Sequence, residues 1–174
     1  MNRKQVIFAL YALYALLAVG VVGGGTVSAA QADEPPNHAN RLEATFTETN
    51  VSVTNRVADL GVFQLINTGT GTVEGFGSAT LVLSATQDRS VHPCGGVSST
   101  NAAIRRIVLA DGVLVLRELV HICPTPSGPL GTGTWDVDGA SSTGVFAGAR
   151  GSGDVTIVVP TSAVTLSGRL NIAG

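Results

Sequence analysis

Beyond position 32 the sequence contains no lysine, no tyrosine and no methionine; Lys4, Tyr11, Tyr14 and Met1 are the only ones. That removes lysine Schiff bases and tyrosine general acids from any chemistry assigned to this part of the chain. Charge is scarce as well, at 13% of the 174 residues against 44% hydrophobic, which excludes a charge-rich disordered chain and allows one globular domain. Arg3 and Lys4 are the only charged residues before position 33, so the 8 basic and 12 acidic groups that follow give a net charge of −4. An acidic surface has no general attraction for phosphates, and nucleic acid is not an expected partner. There is no G-x-S-x-G nucleophile elbow, no P-loop and no complete G-x-G-x-x-G after a strand, so the usual hydrolase and nucleotide signatures are missing. An Arg-only basic set beside abundant Gly, Ala, Val and Thr points to a bacterial source.

What is present begins with a leader. Arg3 and Lys4 precede an apolar run from Val6 to Val22, and Ser28-Ala29-Ala30-Gln31-Ala32 follows with small residues where a signal peptidase needs them. Residues 1–32 are therefore read as a secretory signal peptide, cleaved after Ala32 or alternatively after Ala30. An uncleaved anchor is the competing reading, because the apolar run is only just long enough to span a bilayer. Export implies a secreted, extracellular protein with no membrane contact after cleavage. Residues 33–40 are short, polar and Pro-containing, a flexible lead-in to a domain over 41–174.

That domain reads as strands throughout. Leu42, Ala44 and Phe46 alternate with Glu43, Thr45 and Thr47, the period of two expected when one sheet face is buried. Val57–Ile66, Thr72–Thr86, Ile104–Ala110, Val113–Ile122, Gly131–Val137, Asp154–Val159 and Ala163–Ile172 continue the series, with Gly144–Ala149 as a candidate ninth. Asp111-Gly112 is a two-residue hairpin signal between two of them. No amphipathic helix is evident. About eight strands without helices must close into a barrel or stack as two sheets, since an open sheet would expose an apolar face and two edges. The glycines favour the barrel: Gly71 to Gly75 and Gly144 to Gly148 share a G-x-apolar-x-G pattern, each soon followed by a G-x-G, and glycine within strands permits the bends that coil a sheet. Two ordinary hairpin turns are the alternative.

Ser142-Thr143-Gly144-Val145-Phe146-Ala147-Gly148-Ala149-Arg150-Gly151 is similar to the T-G-x-F-x-x-A-R-G signature of plant dirigent proteins, which share an eight-stranded antiparallel barrel with allene oxide cyclases. Gly133-Thr134-Trp135 and the Gly-rich strand that follows also resemble bacterial secreted proteins of an allene oxide cyclase barrel-like group. The resemblance implies an up-and-down barrel of that type, with an apolar cavity that binds a small organic molecule and steers ring closure or coupling without a cofactor. Arg150 occupies the position of the motif's arginine and is the residue carried over.

Cys94 and Cys123 form an even pair, in an exported protein most simply a disulfide. Metal binding is the alternative, because His92-Pro93-Cys94 and His121-Ile122-Cys123 each place a histidine and a cysteine on one strand face and together could form a tetrahedral site; no metal is expected on the simpler reading. Glu74, Arg117, His121 and Asp136, together with Arg150, are the polar residues best placed to turn into a barrel mouth or lumen and bind a ligand. For each, the solvated outer face is the competing home. Trp135 reads as a barrel-closing core residue. Two functions follow: a secreted barrel for a small apolar molecule, including a cofactor-free cyclase or dirigent-like protein, and a non-catalytic extracellular structural or interaction module stabilised by one disulfide.

Overall fold

A computed structural model describes residues 41–172; the expected signal peptide (1–32) and lead-in (33–40) lie outside the described residues. Eight antiparallel strands close into a barrel in chain order: β1 (Leu42–Val57), β2 (Val62–Val73), β3 (Gly77–Asp88), β4 (Ser99–Leu109), β5 (Gly112–Cys123), β6 (Leu130–Val137), β7 (Arg150–Val158) and β8 (Ala163–Asn171). Pairing of Leu42–Thr47 of β1 with Ala163–Gly168 of β8 completes the circle. The barrel is thus the solution adopted, rather than two stacked sheets.

Neighbouring strands are staggered. Following the register from Ala44 through Leu166, Val155, Gly133, Val120, Asn101, Gln87 and Phe63 returns to β1 at Asn55, well along the same strand. Such a stagger tilts strands against the barrel axis. Turns at 74–76 and 110–111 and the 138–149 loop mark the end called lower here. The connections at 58–61, 89–98, 124–129 and 159–162 mark the upper end.

Several sequence boundaries shift. The expected run Val57–Ile66 is broken by a 3-10 turn at Ala58–Leu60 and by Gly61 at φ 68°. Thr72–Thr86 is broken by the 74–76 turn, where Gly75 takes φ 79°. The expected hairpin forms, but Leu109 pairs with Gly112, so Ala110 and Asp111 make the turn. Gly144–Ala149 is not a ninth strand: Gly144–Phe146 is a 3-10 turn, and Val145 N–H donates to Asp111 O at 3.0 Å. The 138–149 loop lies along lower β5, bonding Val113 and Val115 through Thr143 and Ser142, which covers the outward Val115.

Alternation sends Leu42, Ala44 and Phe46 of β1, Leu81 and Leu83 of β3, Ile107 of β4, Leu114 and Leu116 of β5, and Leu166 and Leu170 of β8 into the lumen, where they are buried. Room for the largest side chains comes from glycine on the same inward face, at Gly69 and Gly71, Gly131 and Gly133, and Gly151 and Gly153. Small interior positions opposite large ones are what a narrow barrel requires. Trp135 is the clearest case. It is 0% exposed, and a β-carbon at Gly153 or Gly168 would stand 2.6 Å from its Cζ2. Its Nε1 donates to Asp154 O at 3.0 Å, so the expected core tryptophan is also satisfied. Phe146 plugs the lower end, fully buried, with its ring centroid 5.2 Å from that of Phe76.

Candidate functional site

Three charged residues interrupt the apolar interior. Glu48 continues the inward series Leu42, Ala44, Phe46 on β1; Arg105 lies between inward Ala103 and Ile107 on β4; Glu118 lies between inward Leu116 and Val120 on β5. Arg105 is 0% exposed, Glu48 7% and Glu118 5%. Arg105 Nε donates to Glu118 Oε1 at 2.5 Å and Nη2 to Glu118 Oε2 at 3.1 Å, while Nη1 donates to Glu48 Oε1. Burial alone would lower the Arg105 pKa; the charge and hydrogen bonds of Glu118, and then those of Glu48, outweigh it and raise it. The guanidinium is therefore a fixed cation held by two carboxyl groups.

A polar file leads outward from this cluster. Asn67 Nδ2 donates to Glu48 Oε2 at 2.8 Å, and Asn50 Nδ2 donates to Asn67 Oδ1 at 2.9 Å. Exposure rises along it, from buried Glu48 through half-buried Asn67 to exposed Asn50. Around the same upper end, Gln87 Nε2 donates to Ser99 Oγ at 3.1 Å, Gln87 Oε1 accepts from Arg89 Nε at 2.9 Å, and the Arg89 guanidinium lies 4.5 Å above the Phe63 ring. Inward Phe63, Leu65, Asn101, Ile122 and Ile157 are only half-buried here, whereas at the lower end Leu42, Leu114, Leu116 and Leu170 are closed off and Val137 is half-buried. The upper lumen therefore opens to solvent. Its strand ends and loops also expose Val53, Val57, Leu60, Val91, Val97, Val158 and Val159, while at the strand ends and loops of the lower end Val108 and Val145 are the exposed large aliphatics among the described residues.

None of the five residues expected from sequence lines this lumen. Arg150 opens β7 on the outer wall, exposed, because Gly151 takes the inward position. Glu74 is exposed beyond β2, on a shallow outer groove of about 350 Å³ shared with Glu43, Thr45, Thr72 and Thr165. Arg117 points outward and donates to Asp138 Oδ2 from Nη2 at 2.7 Å and Nε at 3.1 Å. His121, half-buried on the outer face, has Nδ1 3.1 Å from Thr100 Oγ1. Asp136 is exposed and outward, opposite Arg117 in register. Inward positions beside them belong to Glu118, Val120 and Trp135. The sequence carried one usable signal for the residues that do line the site: continuing the Leu42, Ala44, Phe46 alternation by one step reaches Glu48.

Cys94 and Cys123 form the expected disulfide, with Cα atoms 5.7 Å apart and a separation of 29 positions in sequence. It ties the 89–98 loop to the upper end of β5. Both sulfurs are thereby committed, which removes the Cys/His metal alternative.

No protein-family model, no curated protein and no solved structure matches this chain. The fold and the site thus define it as a closed eight-stranded antiparallel barrel, stapled by one disulfide, with a charged cluster buried below an open polar mouth.

Proposed function

We propose that this is a secreted barrel of the allene oxide cyclase and dirigent type that binds a small, largely apolar organic molecule in its upper lumen. The observation that carries the reading is the polar file from exposed Asn50 through Asn67 and Glu48 to Arg105, set into an otherwise apolar interior at its open end. A charged cluster is costly to bury and adds little net stability over well-packed apolar residues, so its retention beneath a mouth favours a role in recognition. An apolar ligand would lie against Phe63, Leu65 and Ile122 with its polar atom toward the file, and the aliphatic rim would ease its entry. The likeness of residues 142–151 to dirigent proteins supports the same reading and the absence of a cofactor, with the recognition role moved from Arg150 to the inward residues. Glu48 is the group best placed to exchange a proton with a bound intermediate if ring closure or coupling occurs there.

The test is a fluorescence titration with the neutral apolar dye N-phenyl-1-naphthylamine. Saturable binding is expected, weakened about tenfold, or 1.4 kcal/mol, by Asn67→Phe at the mouth and unchanged by Arg150→Ala on the outer wall. Absence of saturable binding would favour the second reading, a non-catalytic extracellular structural or interaction module. The specific observation behind that reading is the filled lower lumen, where Leu42, Leu114, Trp135 and Phe146 are all 0% exposed.

A further inference from the structure

We infer that the molecule taken by the upper lumen carries a hydrogen-bond donor, a hydroxyl or an amine on an apolar body, and that Asn101 receives it. This rests on the ligand-binding reading above and narrows it to a chemical class. Asn101 lies on the inward face of β4, opposite Gln87 on β3 and Val120 on β5, with Ser99 and Ala103 buried on either side of it. Its Oδ1 is buried and accepts no hydrogen bond from any described residue; among the described residues it is the one buried side-chain polar atom in that condition. A buried carbonyl oxygen left unpaired is a standing free-energy penalty, so its retention points to a partner from outside the chain.

The side-chain donors near it direct their hydrogen bonds elsewhere, and none reaches its Oδ1. Gln87 Nε2 is turned to Ser99 Oγ, and the Arg105 guanidinium is spread over Glu118 and Glu48. Acceptors, by contrast, are in surplus: Glu48 and Glu118 supply four carboxylate oxygens, each accepting one hydrogen bond within the cluster and each able to take another. A carboxylate head group would meet these oxygens with no free inward cation to receive it. Arg89 stands at the rim rather than in the cluster; it donates from Nε to Gln87 and covers Phe63, and its terminal N–H groups make no hydrogen bond to a described residue. The site therefore selects an alcohol or an amine against an acid of the same chain length.

Displacement of N-phenyl-1-naphthylamine by lauryl alcohol, laurylamine and laurate from the mature disulfide-bonded protein tests this. The alcohol and amine should compete at roughly tenfold lower concentration than laurate, a step of about 1.4 kcal/mol. Asn101→Leu should erase that preference while raising the thermal unfolding midpoint, since it removes the unpaired acceptor; Asn101→Ala, which removes it in a smaller side chain, should erase the preference too and is the variant to use if the leucine form does not fold. Laurate binding as tightly as the alcohol, or a ranking unaltered in both Asn101 variants, overturns the donor assignment and leaves the ligand-binding reading standing. Failure of the dye and all three competitors to bind the wild type overturns that reading and the donor assignment with it.

Discussion

Arg105 grips Glu118 through two side-by-side hydrogen bonds, Nε to Oε1 and Nη2 to Oε2, between adjacent strands inside the barrel, with Glu48 closing the cluster from β1. Removing the arginine alone would strand two buried carboxyl groups. Arg105→Leu is expected to cost about 3–5 kcal/mol in urea unfolding. The triple variant Glu48→Leu, Arg105→Met, Glu118→Leu should recover most of that loss, because apolar residues of similar volume replace buried ion clusters well, yet it should lose ligand binding.

Trp135 fits only because the facing strands carry Gly153 and Gly168. Gly153→Val is expected to cost about 3 kcal/mol or more, or to prevent folding, through overpacking against the indole and the β8 backbone. Gly148 is a control of a different kind. It takes φ 74° with no atom within 4 Å of an added β-carbon, so Gly148→Ala should cost only the conformational penalty of about 1–2 kcal/mol. Chemical denaturation of both variants reads the difference.

Titration of free thiols in the denatured, non-reduced protein should find none. Replacing Cys94 and Cys123 together by serine should lower stability by about 3–4 kcal/mol on the chain-entropy account for a loop of this length. The barrel should still form, since the bond staples a peripheral loop rather than the strand ladder.

On the outer wall, hydrogen bonds from Arg117 and then from Ser141 hold the Asp138 carboxyl below the ordinary aspartate range. A depressed pKa contributes stability above the unfolded-state value and loses it as the pH falls through the folded one. Arg117→Ala should therefore be less stable than wild type at neutral pH, with the gap narrowing once the pH drops below the ordinary aspartate value. A gap that held constant into acid would show that the pair does not act through this ionisation.

Strand content, the β4–β5 hairpin and the cysteine pairing were legible in the sequence because each depends on local chemistry: a two-residue period, a turn residue beside two apolar runs, an even number of thiols behind a leader-like segment. The turn at Gly144–Phe146, where a β-carbon on Gly144 would meet the Asp111 backbone, was not legible, because the close approach is made by a hairpin more than 30 positions away in sequence. The position of the charged residues did not follow. In Ile104-Arg105-Arg106-Ile107 each alternating face holds one arginine and one isoleucine, and in Leu116-Arg117-Glu118-Leu119 each holds one leucine and one charge. Nothing local says which member of such a pair turns inward.

By itself, then, the sequence determined that the chain is built of about eight strands without helices, which must close into a barrel or stack as two sheets, and its glycines favoured the barrel. Tertiary structure alone decided that Arg105 and Glu118 face the lumen while Arg117 and Arg150 face solvent. The physical reason is register: one residue of slip exchanges the two faces of a strand, and only closure of the whole barrel, fixed by the packing of Trp135, Phe46 and their facing glycines, selects which face is inside.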